Sequence, residues 1–224
     1  MPGRDIQLIN DQYYHVFNRG VNSQKIFNCE RDYFQFIDRI KYYQNNNLPN
    51  SYSNIINLPL QIRSDLFNKL NNQKEFLVEI IAYCLMPNHF HFLLKQRIEN
   101  GISKFVANLS NSYTRYYNIK HKRTGPILQG KFKAVLVESD EQIIHLSQYI
   151  HLNPFSAGVV KNIQELLNYP YSSLPEYLNG RKGICQTSIV MGQFNDLNNY
   201  KKFVTNQADY QRNIQIVKKQ ILES

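Results

Sequence analysis

At 224 residues, 42% hydrophobic and 19% charged, the chain is long enough for one substantial domain with an appendage and too short for two full domains. A formal net charge of +9, with a pI near 9.4, points to a polyanionic partner. Three scattered cysteines, Cys29, Cys84 and Cys185, argue against a disulfide framework and for a reducing, cytoplasmic setting. The first residues lack a signal-peptide core and no apolar run approaches bilayer length, which excludes membrane roles.

Residues 13–21 read as a strand, and 30–43 as a helix whose Phe34, Ile37, Ile40 and the Lys41 stem share a face. The Asn-rich stretch 44–54, followed by a short helix near 64–70, reads as an insertion covering about 44–75. Residues 76–85 are a nearly continuous apolar run, expected as a buried central strand, and the Met86-Pro87-Asn88 turn leads into a strand over 89–95. A helix over 102–119 and a strand over 128–137 follow. Ser139-Asp140-Glu141-Gln142 is a capping-box pattern that opens a further helix, and Pro154 is expected to bend or end it. Strand, helix, two strands, helix, strand, helix is a ferredoxin-like α+β order, with a mainly antiparallel sheet and packed helices. The core domain is placed at 1–168. A C-terminal helical appendage is placed at 169–224, with amphipathic segments near 189–204 and 209–222.

Two short patterns carry the chemistry. His89 and His91 lie two apart in Asn88-His89-Phe90-His91-Phe92, so a strand turns both imidazoles to one face and sends Phe90 and Phe92 to the core. Tyr149 and Asn153 lie four apart in Tyr149-Ile150-His151-Leu152-Asn153, so a helix stacks them on one face. Two imidazoles and an amide oxygen suit a divalent cation, Mg2+ or Mn2+ in the presence of phosphate, although imidazole alone would equally suit zinc, and a tyrosine hydroxyl beside it is a nucleophile for a phosphodiester. His145, one turn before Tyr149, is a candidate to orient the phenol or accept its proton. His15, His121 and His151 receive no role, and His151 points away from Tyr149 in a regular helix.

Positive charge gathers at Lys104, Arg115, Lys120, Lys122 and Arg123, then at Lys131 and Lys133, which share a strand face. Tyr113, Tyr116 and Tyr117 interleave with the first group. Aromatic rings among cations hold single strands by stacking, while part of the same helix is expected to pack on the sheet. Gly125-Pro126-Ile127-Leu128-Gln129-Gly130-Lys131-Phe132 has the spacing of a phosphate-binding loop, but Phe132 stands where the metal-binding hydroxyl belongs. The helix also precedes the loop and the strand follows it, so nucleotide hydrolysis is rejected.

The chain resembles the single-tyrosine HUH transposases, on the side of their REP-associated tyrosine transposases. The resemblance runs through Tyr14-His15-Val16-Phe17-Asn18-Arg19-Gly20, Met86-Pro87-Asn88-His89-Phe90-His91, Gln129-Gly130-Lys131-Phe132-Lys133, Tyr149-Ile150-His151-Leu152-Asn153-Pro154 and Tyr169-Pro170-Tyr171-Ser172-Ser173, in the family's order. It implies a metal-dependent single-strand DNA endonuclease and strand transferase, with Tyr149 as nucleophile, His89, His91 and Asn153 as metal ligands, and a 5′-phosphotyrosine intermediate. The expected partner is single-stranded or hairpin DNA, bound by Arg19, Arg115, Arg123, Lys131 and Lys133, and the expected state is monomer or homodimer. The rival readings are a ferredoxin-like nucleic-acid-binding module without catalysis and a domesticated relative that binds hairpins without cutting them.

Overall fold

The computed structural model describes residues 7–73, 75–180 and 183–213. In chain order the elements are β1 (Tyr13–Arg19), α1 (Glu30–Tyr43), α2 (Tyr52–Ile55), α3 (Leu60–Gln73), β2 (Val78–Met86), β3 (His89–Gln96), α4 (Gly101–Lys120), β4 (Lys133–Val137) and α5 (Asp140–Ser156). The shorter helices α6 (Ile163–Leu167), α7 (Leu174–Asn179), α8 (Ser188–Met191) and α9 (Leu197–Asn206) follow. The four strands form one sheet in the order β2-β3-β1-β4. Every neighbouring pair is antiparallel, which is the ferredoxin-like arrangement.

Alternation along β1 and β3 divides the sheet into two packed faces. Tyr14, Val16, Phe90, Phe92 and Leu94 point to one side and pack with Phe36 and Ile40 of α1 and Phe105, Leu109 and Tyr113 of α4. Phe90 and Phe92 are fully buried, each contributing roughly 1.5–3 kcal/mol of apolar burial. Cys84, Met86, Leu93 and Val137 point to the other side and pack with Ile143, Ile150, Leu152 and Phe155 of α5 and with Tyr177, Tyr200 and Val204. Along α1 the buried aromatic is Phe36, whereas Phe34 is 48% exposed beside Tyr171, contrary to the helical face read from sequence.

The last strand is shorter than expected, because residues before Lys133 form a loop with only an isolated bridge from Leu128 to Gly20. The insertion helix is longer, Leu60–Gln73. Pro154 does not end α5. It costs the helix one N–H donor, but Ala157 still donates to the Asn153 carbonyl at 3.0 Å and Ser156 Oγ to the Leu152 carbonyl at 3.0 Å, so the last turn closes around it.

The described residues beyond 168 pack on the sheet and on α5. Leu85 N–H donates to the Tyr171 carbonyl at 2.9 Å, Ser173 N–H to Tyr83 at 3.0 Å, and Gln186 N–H to Ile80 at 2.8 Å, which closes the free edge of β2. His151 is fully buried between Tyr200 Oη at 2.8 Å and Ser173 Oγ at 2.7 Å, joining α5 to this layer. Part of the segment near 209–222 lies outside the described residues.

Candidate active site

The two histidines stand at the start of β3, where a tight turn is clamped from the side. Gly20 N–H donates to the Asn88 carbonyl at 2.8 Å, and Ile26 and Phe27 N–H donate to Pro87 at 2.8 and 3.1 Å. A Cβ on Gly20 would collide with the Gln24 carbonyl, so only glycine lets this loop close on the turn. Asn22 and Ser23 hold φ of 52° and 56°, a strained pair in the left-handed region. There the Ser23 carbonyl accepts from Asn88 Nδ2 at 3.2 Å.

That bond sets the next one. With its Nδ2 committed to Ser23, Asn88 presents Oδ1 to His89 Nδ1 at 2.6 Å. A carbonyl oxygen only accepts, so His89 carries its proton on Nδ1 and keeps an Nε2 lone pair. His91, 7% exposed, lies with its ring centroid 5.0 Å from that of His89 and nearly perpendicular to it at 86°. Its Nδ1 is 2.9 Å from His15 Nε2. Burial pushes His89 down to about 4, with Arg19 adding to the shift. Burial also holds His91 well below the usual range, assisted by His89, His15 and Arg19. Both rings are neutral at pH 7, as metal ligation requires.

The helix meets the strand here. Tyr149 sits half-buried with its ring 5.9 Å from His91 and 6.2 Å from His15, edge-on to both. Asn153, 5% exposed, donates Nδ2 to the Tyr149 carbonyl at 3.0 Å, which commits the amide nitrogen and leaves Oδ1 as the donor atom for a cation. Gln211 Nε2 reaches the same carbonyl at 3.3 Å. Burial raises the Tyr149 phenol above its ordinary range, while the Asn153 amide pulls it down. Among the described residues no three His, Cys, Asp or Glu side chains are grouped to hold a metal, so the third protein donor at this site would be the Asn153 amide.

His15 is the residue sequence reasoning missed. Its signal was the alternation that puts His15, Phe17 and Arg19 on the face opposite Tyr14 and Val16, combined with the pairing of β1 to β3. His145, in contrast, is exposed and packs its ring on Phe203 at 5.5 Å. His151 lies in the core, away from the phenol, as its helical position implied.

The basic residues divide into two groups. Arg19 is exposed and pairs in register with His89. Lys133 stands in the cross-sheet row of His91 and Phe17 and is also exposed, so both cations flank the histidines on one sheet face. Arg115 and Arg123 line an open depression with Asn111 and Thr114, and Lys131 lines the adjoining groove between α4 and the 125–132 loop, with Asn18 and Ser110. Asn18 points to the α4 side of β1, so that groove lies on the sheet face away from His91.

Lys120 is committed elsewhere: its ammonium sits 2.5 Å from buried Asp32, which also accepts from Tyr116 Oη at 3.0 Å. Tyr113 is fully buried and donates to the Ile26 carbonyl at 2.6 Å, and Tyr117, 7% exposed, bonds Asn28 at 2.9 Å. The three tyrosines of α4 are thus structural, and none is a free stacking platform.

Residues 53–153 match the family model of the IS200-like transposases, a stretch that contains both histidines, Tyr149 and Asn153. The matched stretch is a little under half of the 224-residue chain. The fold is shared with a solved structure described as a REP-associated tyrosine transposase bound to a REP hairpin, at 16% identity over 82% of this chain and 90% of that one, with a TM-score of 0.55. No curated protein sequence matches the chain. Among the described residues no helix is long and apolar enough to cross a membrane.

Proposed function

We propose that this chain is a transposase of the IS200-like kind that cuts and rejoins single-stranded DNA beside a hairpin, with Tyr149 as the nucleophile. The observation that carries the reading is the meeting of Tyr149 with His91 and its neighbour His89 at one point between α5 and β3, all within one chain. The donor set fits a divalent cation: His89 has its Nε2 lone pair fixed by Asn88, His91 has Nδ1 occupied by His15, and the Asn153 amide nitrogen is already bonded. His89, His91 and Asn153 would hold the cation, Mg2+ or Mn2+. When bound, such an ion withdraws charge from the scissile phosphate and from the leaving 3′ oxygen.

The remaining chemistry belongs to the chain. Tyr149 Oη forms a bond to phosphorus as the bond to the 3′ oxygen breaks, and the phenolic proton passes to solvent. The products are a 5′-phosphotyrosine and a free 3′ hydroxyl, and attack by that hydroxyl or another reverses the step. A tyrosine phenol is protonated at pH 7, and burial holds Tyr149 still further from ionisation, so the free hydroxyl is a weak nucleophile. Arg19 and Lys133 lie on the same face to receive phosphates next to the scissile one, and Arg115, Arg123 and Lys131 hold a flank of the DNA farther off. The hairpin bound to the structural relative supports the choice of hairpin DNA as partner. One chain supplies every residue of the proposed set.

The test is cleavage of an end-labelled hairpin with a single-stranded flank. Activity is expected with Mg2+ or Mn2+, none with EDTA, and none on a blunt duplex of the same composition. Undiminished cutting in EDTA would refute the metal set.

A further inference from the structure

We propose that His15 is a positioning residue that fixes the tautomer of His91 and thereby the cation affinity of the site, an inference that rests on the reading of His91 as a ligand. His89 receives its tautomer from an amide oxygen that can only accept. His91 instead faces a second imidazole across 2.9 Å, and a pair of neutral imidazoles can share one proton in two ways. If His91 Nδ1–H donates to the lone pair on His15 Nε2, His91 Nε2 is left bare and faces the site. If His15 Nε2–H donates instead, the proton on His91 sits on Nε2 and ligation is lost. Ligation by Nε2 therefore requires His15 to act as acceptor, with its own proton on Nδ1.

The surroundings of His15 are arranged for this task. Its ring stacks on that of His91 at 5.1 Å and 21°, leans on Phe17 at 4.8 Å and meets Tyr149 edge-on at 6.2 Å, so three neighbours restrict its rotation. It stands on the histidine face of β1, between two fully buried core residues, Tyr14 and Val16, that point the other way. A side chain needed only for packing there would be apolar like Leu93, its register partner on β3. Partners of this kind behind a ligating histidine generally change metal affinity by about 10–100-fold when removed.

The experiment uses the metal-stripped full chain without DNA. Nitrogen–proton correlation spectra report the tautomer of His91, and titration with Mn2+ followed by the signal of the free ion gives its dissociation constant. The wild type is expected to show His91 protonated on Nδ1. His15→Phe, which keeps the ring volume but no acceptor, is expected to bind Mn2+ about 10–100-fold more weakly. His15→Gln, whose amide oxygen can accept from His91, is expected to recover most of the loss, and it keeps the test open if the Phe variant folds poorly. A wild-type His91 protonated on Nε2, or equal Mn2+ affinity for wild type and His15→Phe, would overturn the role of His15 while leaving the metal site standing. A wild type that binds no Mn2+ would overturn the metal reading itself and this inference with it.

Discussion

Acid should loosen α5 from the layer behind it, through His151. This imidazole is fully buried between Tyr200 Oη and Ser173 Oγ, and burial pushes it from 6.5 down to about 3. The unfolded chain takes up a proton near pH 6.5, whereas the folded chain refuses it until about pH 3. The contribution of the neutral folded ring is therefore complete above pH 6.5 and is lost as pH falls through that window. Each unit inside the window is worth about 1.4 kcal/mol, so lowering pH from 7 to 5 removes about 2 kcal/mol through this group alone. The assay is urea unfolding at pH 7, 6 and 5 in EDTA, comparing wild type with His151→Asn, which forms hydrogen bonds but does not titrate. Other buried histidines titrate in both proteins and cancel in the difference. Wild type should lose about 2 kcal/mol more than the variant between pH 7 and 5. Equal losses would refute the assignment of a neutral, solvent-inaccessible His151.

Asp32→Ala removes a fully buried acceptor shared by Lys120, Tyr116 and the Asn28 N–H, and is expected to cost about 2–4 kcal/mol in urea unfolding, somewhat below a fully enclosed pair because Lys120 is 30% exposed. A loss under about 1 kcal/mol would make it an ordinary surface bridge. Phe90→Ala, behind the histidine strand, should cost about 3–5 kcal/mol and lower the melting temperature without moving the DNA salt slope. Neutral replacement of Lys131, Arg115 or Arg123 should flatten the log–log salt dependence of hairpin binding by about 0.7–0.9 for each phosphate left without its cation. An unchanged slope would reduce those cations to a solvated surface.

The order of elements, the shared face of His89 and His91 and the stacking of Tyr149 over Asn153 were legible because they follow from local periodicity, within one strand and one helical turn. The meeting of strand and helix, in contrast, was an expectation that rested on chemistry and on the family resemblance. What was not legible depends on partners distant in the chain. Tyr33, Phe34, Phe36 and Ile37 give α1 an apolar face almost half its circumference wide, and only the packing against β3 and Tyr113 selects Phe36 over Phe34. Helical spacing alone offers His145 to Tyr149, but Phe203 from the appendage takes its ring. His15 lies in a block that resembles the family's first strand, but the block assigned it no chemistry, and its contact with His91 arises from the register of β1 against β3. Register also corrects the reading that Lys131 and Lys133 share a strand face, because it puts Lys133 in the row of His91, whereas Lys131 precedes β4 and lines the groove on the α4 side. Pro154 reads as a helix end, yet it falls so near the C-terminus that one missing donor is tolerated.

The most direct test of the central claim is the covalent link. Wild type and Tyr149→Phe are incubated with Mn2+ and a labelled hairpin carrying a single-stranded flank, then denatured and resolved by size, with the modified peptide identified by mass. The substitution removes one hydroxyl from a half-buried ring, so hairpin affinity should stay within a few-fold of wild type. The expected result is a denaturant-resistant adduct on the peptide containing Tyr149 in the wild type, and no adduct and no cleavage in Tyr149→Phe. An adduct that persists in Tyr149→Phe, or maps to another residue in the wild type, would contradict the account.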